Sequence, residues 1–238
     1  QLTLVSDSPR MEAEIILAHV LDVTRTYLHT WPEQILSDSE QQSFATLIAQ
    51  RLAGKPLAYI LGKQTFWDLD LYVNEHTLIP RPETELLIEL ISAQCYKALP
   101  LRILDLGTGS GAIALALAKS HPNWQVIATD ISVEALKIAQ KNADNYNLIN
   151  VKFYLSDWYT ALPETNFDVL VSNTPHIALD DAHLEYHVLT NEPKNALIAG
   201  TTGLEAFKQI VDRWKDLVYN TAIGILQNTE ESEDVTQE

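Results

Sequence analysis

Residues 103–111 read Ile-Leu-Asp-Leu-Gly-Thr-Gly-Ser-Gly, an apolar run that breaks into a glycine-rich turn. Further polar signals close later apolar runs: Asp130, Asp157-Trp158 and Asn173-Thr174-Pro175-His176. Gly107, Gly109 and Gly111, with Thr108 and Ser110 between them, allow a tight turn and a close backbone approach to a ligand. The spacing is not the G-x-G-x-x-G of dinucleotide sites, which disfavours nicotinamide and flavin cofactors. Asp130, 23 residues after Gly107, ends the next strand, where an acid can accept both hydroxyls of an adenosine ribose. The bland alternative is a helix N-cap shared with Ser132. Trp158 can pack on adenine while Asp157 or a backbone group takes its amino group, or it can simply belong to the core. Together these residues predict an adenosyl pocket, and the lack of a pyrophosphate-type loop points to S-adenosyl-L-methionine.

Asn173-Thr174-Pro175-His176 supplies the second half of the chemistry. An Asn at a strand end, followed by a proline-stiffened turn, presents a side-chain carbonyl and a backbone carbonyl at fixed separation. Two such acceptors can grip both N–H bonds of an amide or amino group, and a neighbouring planar ring can stack on it. That arrangement suits methylation of a planar, poorly nucleophilic nitrogen, where orientation and charge stabilisation matter more than a strong base. The bland alternative is a strand-end turn without chemistry.

An alternating strand and helix pattern must position these groups. Apolar runs at Arg102–Leu106, Gln125–Thr129, Val151–Leu155, Phe167–Val171 and Thr221–Leu226 predict strands. Ala112–Lys119, Val133–Asn142 and Leu204–Val218 predict the intervening helices. The alternation argues for a parallel sheet covered on both faces, with ligands at the C-terminal strand ends. Before it, residues 8–60 read as about four helices. Pro9 suits a first turn, Ser37-Asp38-Ser39-Glu40 has capping-box spacing, and Gly54 offers a stop. Phe66-Trp67-Asp68-Leu69-Asp70-Leu71-Tyr72-Val73 suggests a hairpin. Ile79-Pro80-Arg81-Pro82 must be extended, and a helix is expected from Glu83 to about Ala98. The expected division is a helical domain at 1–62, a hairpin and extended linker at 63–82, a cofactor-binding α/β domain at 83–227, and an acidic disordered tail at 228–238.

The 238 residues carry 16 Lys+Arg against 32 Asp+Glu, a formal charge of −16, which weighs against direct binding to a phosphate backbone. Cys95 is the single cysteine, which excludes an internal disulfide and fits a reducing compartment. No stretch approaches the roughly 18 apolar residues of a membrane span, and the first residues lack a leader pattern. A cytoplasmic protein is expected. His183 and His187, beside Asp180, Asp181 and Glu185, do not have the spacing of a zinc motif, and no metal site is expected.

With these residues in hand, the chain resembles the HemK/PrmC protein-(glutamine-N5) methyltransferases, from about Ser8 to Gly203. The resemblance rests on the Gly54–Gly62 segment (Gly-Lys-Pro-Leu-Ala-Tyr-Ile-Leu-Gly), Phe66-Trp67, Leu78-Ile79-Pro80-Arg81-Pro82-Glu83-Thr84-Glu85, Asp105–Gly111 and Glu192-Pro193. It implies a class I methyltransferase (Rossmann-like) sheet behind a small all-α domain, and a class-1 peptide chain release factor as protein substrate, methylated on the glutamine of its Gly-Gly-Gln motif. It also implies that Gly107 to Gly111, Asp130 and Trp158 hold S-adenosylmethionine. Asn173 would face cofactor and substrate amide, and Thr174, Pro175 and His176 would complete the substrate clamp.

Two departures shape the expectation. The family has Asn-Pro-Pro-Tyr where this chain has Asn-Thr-Pro-His, so weaker catalysis is expected, with cofactor binding less affected. Asn191 also stands before Glu192 where the family usually has an aromatic. The family continues beyond the fifth strand with a helix and two strands, whereas Gln227 here leads into the acidic tail; the fifth strand would present an open edge, and either the domain is truncated or another chain covers that edge. An adenine-N6 nucleic-acid methyltransferase and an impaired member that only binds cofactor or partner are the competing functions. Oligomeric state is not legible.

Overall fold

A computed structural model of the chain describes residues 2, 5–95, 99–162, 166–179 and 191–213. The predicted strand Thr221–Leu226, the acidic tail and the His183/His187 segment lie outside the described residues.

Four helices open the chain: α1 (Pro9–Leu21), α2 (Arg25–Thr30), α3 (Asp38–Leu52) and α4 (Leu57–Leu61). Proline occupies the first turn of α1, where its missing N–H costs nothing. The capping box of α3 forms as its spacing predicts: Glu40 accepts the Ser37 N–H at 2.7 Å, and Ser37 Oγ accepts the Glu40 N–H at 3.4 Å. Arg51 joins α3 to α1 through Glu12 at 2.7 Å, and also donates to the Val5 carbonyl at 2.9 Å.

The antiparallel hairpin β1 (Lys63–Phe66) and β2 (Leu69–Tyr72) comes next. It turns at Trp67, whose φ of 56° is left-handed and whose N–H donates to Glu85 at 2.7 Å. A 3-10 turn at Pro82–Thr84 leads into α5 (Glu85–Gln94). That helix is shorter than its expected end at Ala98, because Cys95 already leaves the helical region at ψ 134°.

The main sheet has β3 (Arg102–Leu106), β4 (Gln125–Asp130), β5 (Val151–Leu155) and β6 (Val169–Ser172), all parallel, in the order β5-β4-β3-β6. The fourth strand begins at Val169 rather than Phe167. The Asp168 N–H still donates to the Arg102 carbonyl at 2.9 Å while its carboxylate accepts the Arg102 N–H at 2.7 Å, and Phe167 is buried outside the ladder. Helices α6 (Ala112–Ser120) and α7 (Val133–Asn145) connect the strands.

Period-two alternation divides the core between two faces. Ile103, Val126 and Ala128 face α5, α6 and the hairpin, whereas Leu104, Leu106 and Ile127 face the other way, onto Phe167 and Ile210 of the helical residues 205–213. Residues 112–118 of α6 are buried without exception, so alanines there let helix, sheet and hairpin approach closely.

Asn142 of α7, wholly buried, joins hairpin to glycine loop. Its Oδ1 accepts the Tyr72 N–H at 2.7 Å, and its Nδ2 donates to the Tyr72 carbonyl at 3.0 Å and the Ser110 carbonyl at 2.8 Å. The amide thus behaves as a short extra strand along β2. Replacing Asn142 by Ala leaves three backbone groups without partners, and unfolding in urea should show a loss of about 2–4 kcal/mol. A loss below about 0.5 kcal/mol, the range of surface changes, would refute this role.

Candidate functional site

Ladder hydrogen bonds run on past the strand ends and fan the loops around one crevice. The Thr108 N–H donates to the Thr129 carbonyl at 2.9 Å, and the Ser156 N–H to the Asp130 carbonyl at 3.0 Å. Ser172 Oγ donates to the Leu106 carbonyl at 2.7 Å, which ties the β6 exit to the β3 exit. The chain runs outward from β3 through β4 to β5, then returns to β6 on the other flank of β3. That reversal is where open α/β sheets bind ligands.

The three loop glycines do different work. Gly107, Gly109 and Gly111 all have positive φ, at 71°, 57° and 86°. A Cβ added at Gly107 or Gly109 would meet nothing within 4 Å, so both present bare backbone to open space. A Cβ at Gly111 would come within 2.9 Å of Leu115 and 3.3 Å of Ala139, so this glycine serves helix packing.

Asp130 does not cap α7; Ser132 does, accepting the Ala135 N–H at 3.2 Å. The Asp130 carboxylate instead accepts the Gly109 N–H at 2.8 Å and the Ser132 N–H at 2.9 Å. Each oxygen keeps a further acceptor position for a ligand. Burial raises its pKa, opposed by the N–H groups of Ser132, Gly109 and Ile131.

The crevice gathers most of the residues singled out from sequence. Gly107, Thr108, Gly109, Ser110 and Asp130 form one wall, and Asp157, Trp158, Asn173 and Pro175 another. Trp158 lines the crevice and also packs against the core around Leu104. Gly111, Thr174 and His176 do not line the crevice. His176 is exposed, with its Nδ1 3.0 Å from the Thr174 carbonyl oxygen.

Sequence reasoning assigned no role to the roof. His76, Leu78, Pro80 and Thr84 cover the crevice from the linker, and Pro193, Asn195 and Ala196 cover it from beyond β6. The two halves are clipped by Glu192, which is 8% exposed. It accepts the Ile79 N–H at 3.1 Å and the Arg81 guanidinium at 2.5 Å. Thr84 Oγ1 accepts the Asn173 Nδ2–H at 3.3 Å. The Ile-Pro-Arg-Pro-Glu-Thr-Glu segment is therefore a bracket: Arg81 holds the far loop, Thr84 the strand-end amide, and Glu85 the hairpin turn. The prolines announced its extended backbone and the resemblance its motif, but partners 89 and 111 residues away leave no local signal for these contacts.

Parallel strands with ligand-presenting ends and a glycine loop after the first define a Rossmann-like class I methyltransferase fold. The hMettl16 catalytic domain in complex with MAT2A 3'UTR hairpin 1 shares it at a TM-score of 0.52, with 20% identity over 68% of this chain and 61% of that one. Residues 1–62 match the PrmC N-terminal domain family, and residues 100–227 match a methyltransferase domain family. The release factor glutamine methyltransferase of Coxiella burnetii is 46% identical over 96% of this chain and 82% of its own length. The Escherichia coli K12 protein of the same name is 39% identical, over 94% and 80% respectively. The chain belongs to the release factor glutamine methyltransferase family.

Beneath the glycine loop, Asp105 is fully buried, and Thr108 donates to its Oδ2 at 2.7 Å. Burial pushes its carboxyl up to about 7, with the Thr108 hydroxyl and the Ala114 N–H pulling it back. The native state therefore holds a proton that the unfolded chain has released. Stability associated with Asp105 is complete below about pH 4 and is lost as pH rises through about 7. Asp105→Asn should remove that loss. Relative to the unsubstituted chain, the variant should gain on the order of 4 kcal/mol between pH 4 and pH 8 in urea titrations. A difference that stays flat with pH would show that Asp105 ionises normally.

Proposed function

We propose that this chain transfers a methyl group from S-adenosyl-L-methionine to the side-chain amide nitrogen of the Gly-Gly-Gln glutamine in class-1 peptide chain release factors. The observation that carries the reading is that Asn173 shares one crevice with the bare-backbone glycines and Asp130, in a chain of this family. The donor fits the residues present: open space over Gly107 and Gly109, an acid at the β4 end for ribose, and Trp158 beside Asp157 for adenine. When bound, it supplies an electrophilic methyl group on a sulfonium.

The chain's own residues do the rest. Asn173 Oδ1 and the Thr174 carbonyl each accept one N–H of the substrate amide and turn its nitrogen toward the donor. The Thr174 oxygen has two acceptor positions. One meets His176, and that contact holds the turn where the family's first proline would stiffen it. Positive charge builds on the nitrogen as the sulfonium loses its own, and the two carbonyl oxygens stabilise it. Once the donor's methyl group is transferred, the substrate nitrogen would carry one proton too many, and water would take it without a side-chain base. Pro175, which lines the crevice, flanks the substrate plane, while His176 braces the turn from outside it.

In this reading residues 1–62 recognise the protein substrate, 63–82 link, and 83–227 catalyse. The work lies in the cytoplasm, with translation termination. Among the described residues no helix is long and apolar enough to cross a membrane.

Incubation with methyl-labelled donor and a release factor should label the Gly-Gly-Gln glutamine and nothing in a Gln→Ala factor. Persistent label on the latter would refute the substrate, and donor binding without transfer would favour a binding-only protein. Gly109→Ala should weaken donor binding by calorimetry at least tenfold, at a folding cost of about 1–2 kcal/mol from the left-handed backbone. Unchanged donor affinity in that variant would remove the glycine loop from the site.

A further inference from the structure

We propose that Thr84 is a positioning residue for methyl transfer: its hydroxyl holds the Asn173 side chain in place at the crevice. The proposal rests on the reading above, in which Asn173 must present its amide to a substrate amide at a fixed angle. An asparagine side chain without a partner is free to rotate about its last torsion. Here Nδ2 donates to Thr84 Oγ1 at 3.3 Å, and both residues line the same cavity. Without that contact the Asn173 amide would lose its anchor beside the substrate.

Contacts outside the catalytic sheet place the Thr84 hydroxyl. The Thr84 N–H closes the 3-10 turn onto the Arg81 carbonyl at 3.0 Å. Arg81 itself is anchored to Glu192. The next residue, Glu85, takes the Trp67 N–H at 2.7 Å. Thr84 thus stands on a frame braced from the hairpin and from the loop beyond β6, and it meets Asn173 at the junction.

The test uses the full chain with Thr84→Val, which keeps the shape and deletes the hydroxyl, Thr84→Ala as a second deletion, and Thr84→Ser as the rescue. In protein labelled with 15N-asparagine, the Asn173 side-chain signals are assigned by their loss in Asn173→Asp. They should move in the Val and Ala variants and return in the Ser variant. Turnover number should fall about tenfold in the deletion variants, the cost of one such hydrogen bond, and recover to within about twofold in Thr84→Ser. Donor affinity should stay within about twofold throughout, which a general structural defect would not spare.

Unmoved Asn173 signals in Thr84→Val would overturn the proposal whether or not the chain transfers methyl groups. Moved signals with unchanged turnover would also overturn it. Absent transfer in the unsubstituted chain, with signals that move as expected, would instead overturn the function proposed above and leave the contact standing.

Discussion

The buried carboxylate of Glu192 closes the crevice. Four parallel strand ends alone make an open ledge, and a ledge can neither exclude water nor hold a planar group between two surfaces. The linker and the loop beyond β6 supply the cover, and they meet at this side chain through Ile79 and Arg81. Such a group is tolerable out of water only because both oxygens are taken, one by a backbone N–H and one by a guanidinium. Neutralising Arg81 without Glu192 would leave an uncompensated charge under the roof. The pair therefore specifies the arrangement more than it adds to overall stability.

Much of the sheet was legible because its signals are local. Period-two apolar runs gave four described strands within two residues, and the capping-box spacing placed the start of α3. The strand-end rule then drew Gly107, Asp130, Trp158 and Asn173 into one crevice without any knowledge of contacts. Failures occurred where a distant partner overrules local preference. Asp168 reads as part of a strand, and its N–H does pair with Arg102, but its carboxylate takes the Arg102 N–H and the regular ladder starts one residue later. At Asp130 the cap that was the bland alternative falls to Ser132 alone, and the carboxylate braces the glycine loop, a contact with no local signal. Asn142 reads as one polar residue on an amphipathic helix, yet its amide completes the edge of a strand 70 residues earlier.

The tetrapeptide after β6 shows how a turn can be kept with different residues. A second proline would hold position 174 through its ring, whereas here the imidazole of His176 reaches back to the Thr174 carbonyl. A covalent constraint is exchanged for a hydrogen bond, which is weaker and depends on which ring nitrogen carries the proton. The exposed position of His176 also keeps its ring in contact with solvent.

Asn142 has one more consequence. Its single amide is shared between the Tyr72 backbone and Ser110, so the hairpin and the glycine loop cannot order independently. Linkage then makes the influence mutual: to whatever degree a docking protein steadies the hairpin, it strengthens small-molecule retention, and a retained small molecule improves docking by the same factor. The two ligands of a two-substrate reaction would then sense each other's arrival through one nitrogen atom, before their reacting groups meet.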